Sequence, residues 1–377
     1  MYRLVKSFAV AFVLVAVPTA LAGSAGTVPG TWHKLPPAPF AIPQGPWSVW
    51  TGRQLIVFGR TPQTNPSIDV AEAYDPSSRT WTRLSPPKGP EYTWFSVVWT
   101  GKEMLALGGY SVAYNPTTDT WRALAGRWPT PGGLFPGGIV VWTGREVIAW
   151  GGGCCGDAWS SGVAYNPTTG MARRLPRSPL APSQGPVGAW TGRELVLFVG
   201  GFDTMDEAHP ARLARAAAYN PKTNTWRRIA PLPGSDVRYS FRGSAVWDGR
   251  EILVVGAGKN GRSAFAYNPT SNRWRRLAPM PAPRVGGTAV WTGKQLYVWG
   301  GENRDARIVP TYFANGVAYD PKSDRWSTIP GAPLRARGGS AVQWTGRQLL
   351  VWGGGIPRKV GAPRFVRDGA AFTPTAL

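Results

Sequence analysis

Few residues in this 377-residue chain have types and spacing that could do chemistry. The densest titratable run is Asp203-Thr204-Met205-Asp206-Glu207-Ala208-His209. Asp206, Glu207 and His209 carry the groups for acid, base or metal work. The run lacks the His, Cys and carboxylate spacing of a defined metal site, and acids in a surface loop are ordinarily solvated. No metal and no cofactor is expected. Arg238, Arg242, Arg284 and Arg337 are suited to holding carboxylate or sulfate bidentately, or to bonding backbone carbonyls within the fold. Trp128 and Trp159 fall in connecting segments, where exposed rings contact sugars or partners. These nine residues are the ligand-binding candidates. A pocket gathering Glu302, Asp305, Asp206 or Glu207 with Tyr239, Tyr312 or His209 within hydrogen-bond reach, together with a strongly shifted pKa, would point to an enzyme instead, which the sequence favours less.

The only cysteines, Cys154 and Cys155, are adjacent. Neighbouring Cα atoms lie about 3.8 Å apart, closer than a disulfide prefers, but flanking glycines let the backbone distort. In an oxidising compartment a vicinal disulfide is expected, whereas metal binding by the pair lacks a Cys-x-x-Cys or His partner.

Arg3 and Lys6 precede an unbroken apolar run over residues 8–17, and Ala20-Leu21-Ala22 stands before Gly23. This reads as a signal peptide over residues 1–22, too short in its apolar part to span a bilayer. Residues 23–377 are then a single domain, secreted or extracytoplasmic, with no transmembrane segment after cleavage and expected to be a monomer. Lys and Arg number 42 against 20 Asp and Glu, a net charge of +22. Losing Arg3 and Lys6 leaves about +20, beyond what solubility needs, so polyanions should concentrate at the surface. Polysaccharide or an anionic envelope polymer is the expected partner, and a protein partner the next. Nucleic acid would bind through phosphates in vitro, but export removes it as a physiological partner.

The elements that must position these residues follow from a repeat. Trp50-Thr51-Gly52-Arg53 returns at Trp99, Trp142, Trp190, Trp247, Trp291 and Trp344, on average about every 49 residues. Each phrase joins two apolar strands, the second ending in Gly-Gly or its relic, with Asp248-Gly249 read as a two-residue hairpin turn. A third strand ends in Tyr-Asn/Asp-Pro, and a fourth carries a Trp at a constant seven residues beyond the Tyr, as in Tyr74 and Trp81. Only the third repeat departs, with Met171-Ala172 in place of the Trp. Four antiparallel strands at this period are propeller blades. The last repeat lacks its fourth strand, and Thr31-Trp32-His33-Lys34-Leu35 matches Thr80-Trp81-Thr82-Arg83-Leu84. The fold expected is all-β, a seven-bladed propeller closed by the N-terminal strand.

With Gly-Gly ending the second strand, Tyr on the third and Trp on the fourth, the chain resembles the kelch-repeat β-propellers, in a secreted bacterial form similar to the central domain of galactose oxidase. The resemblance implies a ligand face built from the loops between second and third strands and between blades. It also implies an enzyme to weigh, a copper oxidase whose metal is held by two Tyr and two His. This chain has 2 His in all, and His33 falls on an outermost strand, so copper-radical chemistry is not expected. Kelch-fold mutarotases are a second resemblance, with no residue that carries across. The insertions after the second strand are short in blade two and long in blades four, six and seven, and long loops on a rigid scaffold carry function.

Overall fold

The computed structural model describes residues 26–42, 47–61, 68–86, 96–108, 110–125, 137–153, 158–199, 215–233, 243–257, 261–303, 311–358 and 361–375. Seven four-stranded antiparallel sheets organise them. Blade one runs outward as Trp47–Trp50, Leu55–Thr61, Ile68–Asp75 and Thr80–Leu84, and blades two to six follow the same order. The seven inner strands contact one another in ring order, and that of blade seven, Ala341–Trp344, returns against that of blade one. The molecule is a seven-bladed β-propeller.

Gly30–Lys34 forms the outer strand of blade seven, with Trp32 opposite Phe372. The chain before it continues the seal: Val28 N donates to Thr328 O at 2.9 Å, and Thr328 N to Gly26 O at 2.7 Å. Residues 26–34 thus span the seam between blades six and seven and pair a strand edge that would otherwise be open.

Among the described side chains the second strands are buried throughout, as in Leu195–Phe198 and Leu349–Trp352. Alternation of apolar and polar residues is absent there because neighbouring blades cover both faces. Between blades four and five, for example, Val196, Phe198 and Ala218 pack on Ile252, Val254 and Tyr267.

Each outer-strand Trp reaches back one blade. Trp81 Nε1 donates to Pro36 O at 2.9 Å, Trp226 Nε1 to Pro176 O at 3.0 Å and Trp274 Nε1 to Ala230 O at 2.9 Å. In blade three Ala172 holds that place, and Tyr165 OH takes over the equivalent carbonyl, Ala125 O, at 2.9 Å. In blades two, four, five and six the same Tyr hydroxyl bonds the residue five positions on, as Tyr114 does with Asp119 at 2.8 Å. The break in the repeat is therefore repaired by rerouting one hydroxyl.

The inner hairpins correct one expectation. Asp248 N bonds Glu251 O, so the two central residues are Gly249 and Arg250, not Asp248 and Gly249. Asp248 Oδ1 accepts from the backbone N of Arg250 at 2.7 Å and of Glu251 at 2.6 Å, and Thr51 Oγ1 does the same for Arg53 and Gln54. The residue before Gly anchors the turn, and Gly supplies the positive φ, 101° at Gly249, that the first central position needs. The basic residue is left at the exposed apex in every blade: Arg53, Lys102, Arg145, Arg193, Arg250, Lys294 and Arg347. Antiparallel pairing puts these apices on one face, called here the turn face, and the insertions after the second strands on the other.

Candidate functional site

A cleft of about 330 Å³ opens on the insertion face between blades six and seven. The sequence positions it through two matched loops that enter the inner strands. Arg284 and Arg337 stand seven residues before Trp291 and Trp344, and each guanidinium reaches the first Gly after a second strand and a side chain 31 residues on. Arg284 Nη1 donates to Gly300 O at 2.7 Å and Asn315 O at 3.0 Å, and its Nη2 to Asn315 Oδ1 at 2.7 Å. Arg337 Nη1 donates to Gly353 O at 3.4 Å and to Asp368 Oδ1 at 2.5 Å, with Nη2 on Asp368 Oδ2 at 3.2 Å. Each Arg ties its inner-strand entry to both ends of the insertion after the second strand. That leaves the insertion a fixed base, from which a short ribbon rises: Glu302–Asn303 with Thr311–Tyr312 in blade six, and Gly355–Ile356 with Arg364–Phe365 in blade seven.

The cleft lies between these ribbons. Glu302 is buried, its backbone paired to Val285 at 2.9 and 3.1 Å, and it lines the cleft from blade six with Tyr312, Thr288 and Trp299. Ser340, Arg337, Pro357 and Phe365 line it from blade seven. Tyr312 lies so close to Gly338 that a Cβ there would be 2.7 Å from its ring, which fixes Gly at that position and brings the two blades into contact. Gly286 and Gly339, repeat equivalents with φ of 68° and 65°, leave open space where a side chain would stand.

Charge inside the cleft is balanced. Burial alone would raise the Asp368 carboxyl, but the bonds and charge of Arg337 hold it below the ordinary carboxylate range. Arg284 is 2% exposed, and burial pushes its guanidinium down to about 10, still charged at neutral pH. It also lies 4.7 Å over the Phe313 ring.

The sequence candidates divide accordingly. Arg337, Glu302 and Tyr312 meet in the cleft. Arg284 lies behind it, with its guanidinium on backbone carbonyls and Asn315. Trp159 is exposed at 38%, but it bridges to Ser183 at the junction of blades three and four, apart from the cleft. Trp128, Cys154, Cys155, Asp206, Glu207, His209, Arg238, Tyr239, Arg242 and Asp305 lie outside the described residues, as does the leader over residues 1–22. Thr288, Ser340 and Phe365 were not singled out from the sequence. The repeat marked only the seam, since blades six and seven alone carry Arg at the seventh position before the phrase.

No family model matches the chain, and no curated protein matches it. Solved structures do. A fungal alcohol oxidase of the AA5 family, in complex with copper, superposes with a TM-score of 0.68 at 14% identity, over 92% of this chain and 76% of that one. The donors available here do not fit a copper site of the two-Tyr, two-His kind. Of the 2 His in the chain, His33 is exposed on the outer strand of blade seven, and among the described residues no three His, Cys, Asp or Glu side chains gather. What the likeness shows is the fold: a seven-bladed propeller similar to those of galactose-oxidase-like proteins.

Proposed function

We propose that the protein is an exported binding protein that holds a polysaccharide on its insertion face, with the cleft between blades six and seven as the main subsite. The observation that carries this reading is the lining of the cleft. A buried carboxylate, Glu302, can accept bonds from sugar hydroxyls, Thr288 and Ser340 supply hydroxyls, and Tyr312 and Phe365 offer flat apolar surface to C–H faces. Its volume of about 330 Å³ is at the small end of ligand sites, fitting one or two sugar units of a longer chain. With Arg337 neutralised by Asp368, a neutral or weakly acidic sugar suits the cleft better than a polyanion.

The test is binding of purified protein to an array of neutral and acidic glycans at low and high salt. Selective binding that survives salt, and weakens at least tenfold, about 1.4 kcal/mol, in both Glu302→Gln and Tyr312→Ala, supports the reading. Full affinity in both folded variants, or no glycan retained in high salt, overturns it.

A further inference from the structure

The turn face carries a separate set of groups that the cleft does not use. Seven basic apices ring the inner strands there, all exposed. The acids nearest to them in sequence are already engaged. Glu103, Glu146, Glu194 and Glu251 each follow an apex residue, and each is paired with an outer-strand arginine, at 2.7 Å to Arg122, 2.8 Å to Arg173, 2.7 Å to Arg227 and 2.8 Å to Arg275. Blades one, six and seven have Gln at that position instead, Gln54, Gln295 and Gln348. Among the described residues only Arg53 of the ring has a carboxylate partner, Asp75 at 3.2 Å. A ring of exposed like charges whose nearest acids are already paired leaves a positive field on this face that attracts polyanions.

Two grooves on this face run between blades and are flanked by ring cations. One, of about 950 Å³, lies between Arg145 of blade three and Arg193 of blade four, with Asn166, Thr169, Asn220 and Thr223 along it. The other, of about 590 Å³, lies between Arg347 of blade seven and Arg53 of blade one, with Ser77, Thr345 and Gln348. Each groove also holds one carboxylate, Glu146 or Asp75, already paired with Arg173 or Arg53, and the remaining hydroxyls and amides beside Arg145, Arg193 and Arg347 match a chain in which hydroxyl-bearing rings alternate with anions. The face lacks what a lipid surface would use: its one large exposed hydrophobic among the described residues is Met171.

We infer that the turn face is a second docking surface, for an acidic polysaccharide that carries carboxylate or sulfate along its length. The ring cations meet the anions, and the inter-blade grooves take the sugar rings. This surface is independent of the cleft and stands if the cleft binds nothing.

The experiment measures the affinity of polygalacturonate for the intact protein across a salt series, with dextran and a single-stranded oligonucleotide of equal charge as the other arms. Arg145→Gln, Arg193→Gln and Arg347→Gln, combined, remove three apex charges and leave the turn backbone bonds in place. Arg177→Gln, Arg335→Gln and Arg358→Gln, combined, remove the same charge from exposed positions on the insertion face. The expected result is a loss of tenfold or more in the first variant, with the slope of log affinity against log salt shallower by about two. The second variant should stay within about threefold of the parent, and dextran should not bind this face. Equal losses in the two variants would reduce the effect to net charge and overturn the proposal. So would tighter, ring-dependent binding of the oligonucleotide, or no binding of polygalacturonate.

Discussion

In the third strand of blade one, Glu72 occupies a position that is apolar in every other blade: Val112, Val163, Ala217, Phe265, Val317 and Ala370. It is fully buried, with Oε1 accepting from Phe40 N at 2.9 Å and Oε2 without a partner among the described residues. Burial pushes its carboxyl up to about 7, against the Phe40 bond and the charges of Arg83 and Arg367 that pull it down. The unfolded chain would titrate near 4.5. Between those values the native state holds a proton that the unfolded state has lost, so stability is full below 4.5, falls as pH rises through about 7, and is level above. The expected loss is about 3 kcal/mol. Glu72→Gln should remove most of this slope, measured as the unfolding midpoint from pH 5 to pH 8. An unchanged slope in the variant would show that Glu72 is ionised throughout.

Phe40 lies in the link between the closing strand and blade one, so Glu72 ties a single residue to ring closure at the level of elements. Trp32 of that strand lies 5.0 Å from Trp299 and 5.2 Å from Phe372, ring to ring, and its Nε1 donates to Pro330 O at 2.9 Å. Trp32→Ala should cost about 3–5 kcal/mol, read from denaturant unfolding. Met171, at the one blade whose outer strand lacks Trp, is 73% exposed, and Met171→Ala should shift stability by no more than about 0.5 kcal/mol. Similar losses in the two would mean that closure contributes little. These elements were legible in the sequence because one inter-blade contact is rebuilt around the ring: the Tyr-to-Trp interval and the Trp-Thr-Gly phrase had to recur wherever it did. The ionic ties were legible in principle, since Glu after the phrase goes with Arg after the outer Trp or its replacement, as in Glu103 with Arg122 and Glu146 with Arg173. Gln goes instead with Thr82, Ser327 or His33. Glu72 was not legible, because one acid inside an apolar strand gives no sign of which way it points.

For the whole molecule, the fold separates two surfaces by construction. Antiparallel blades send the repeated turns to one face and the irregular insertions to the other, so a sevenfold ring of charge and an asymmetric cleft arise from the same repeat. The cleft was only partly visible beforehand. Arg337, Glu302 and Tyr312 stood out by residue type, and the long insertions of blades six and seven marked the face. Thr288, Ser340 and Phe365 are common residues whose meeting depends on the two ribbons leaning over one seam, and no local pattern encodes that. Exposure logic identified Trp159 as an accessible ring, but accessibility carries no information about which seam holds a site.

The most direct measurement of the central claim, that ligand is held between blades six and seven, is hydrogen exchange followed by mass spectrometry with and without a glycan retained in high salt. The account predicts slowed exchange in peptides containing Glu302, Tyr312 and Ser340, with the turn apices and the Trp159 segment unchanged. Protection confined to the apices or to Trp159, with the cleft peptides unaltered, would contradict it.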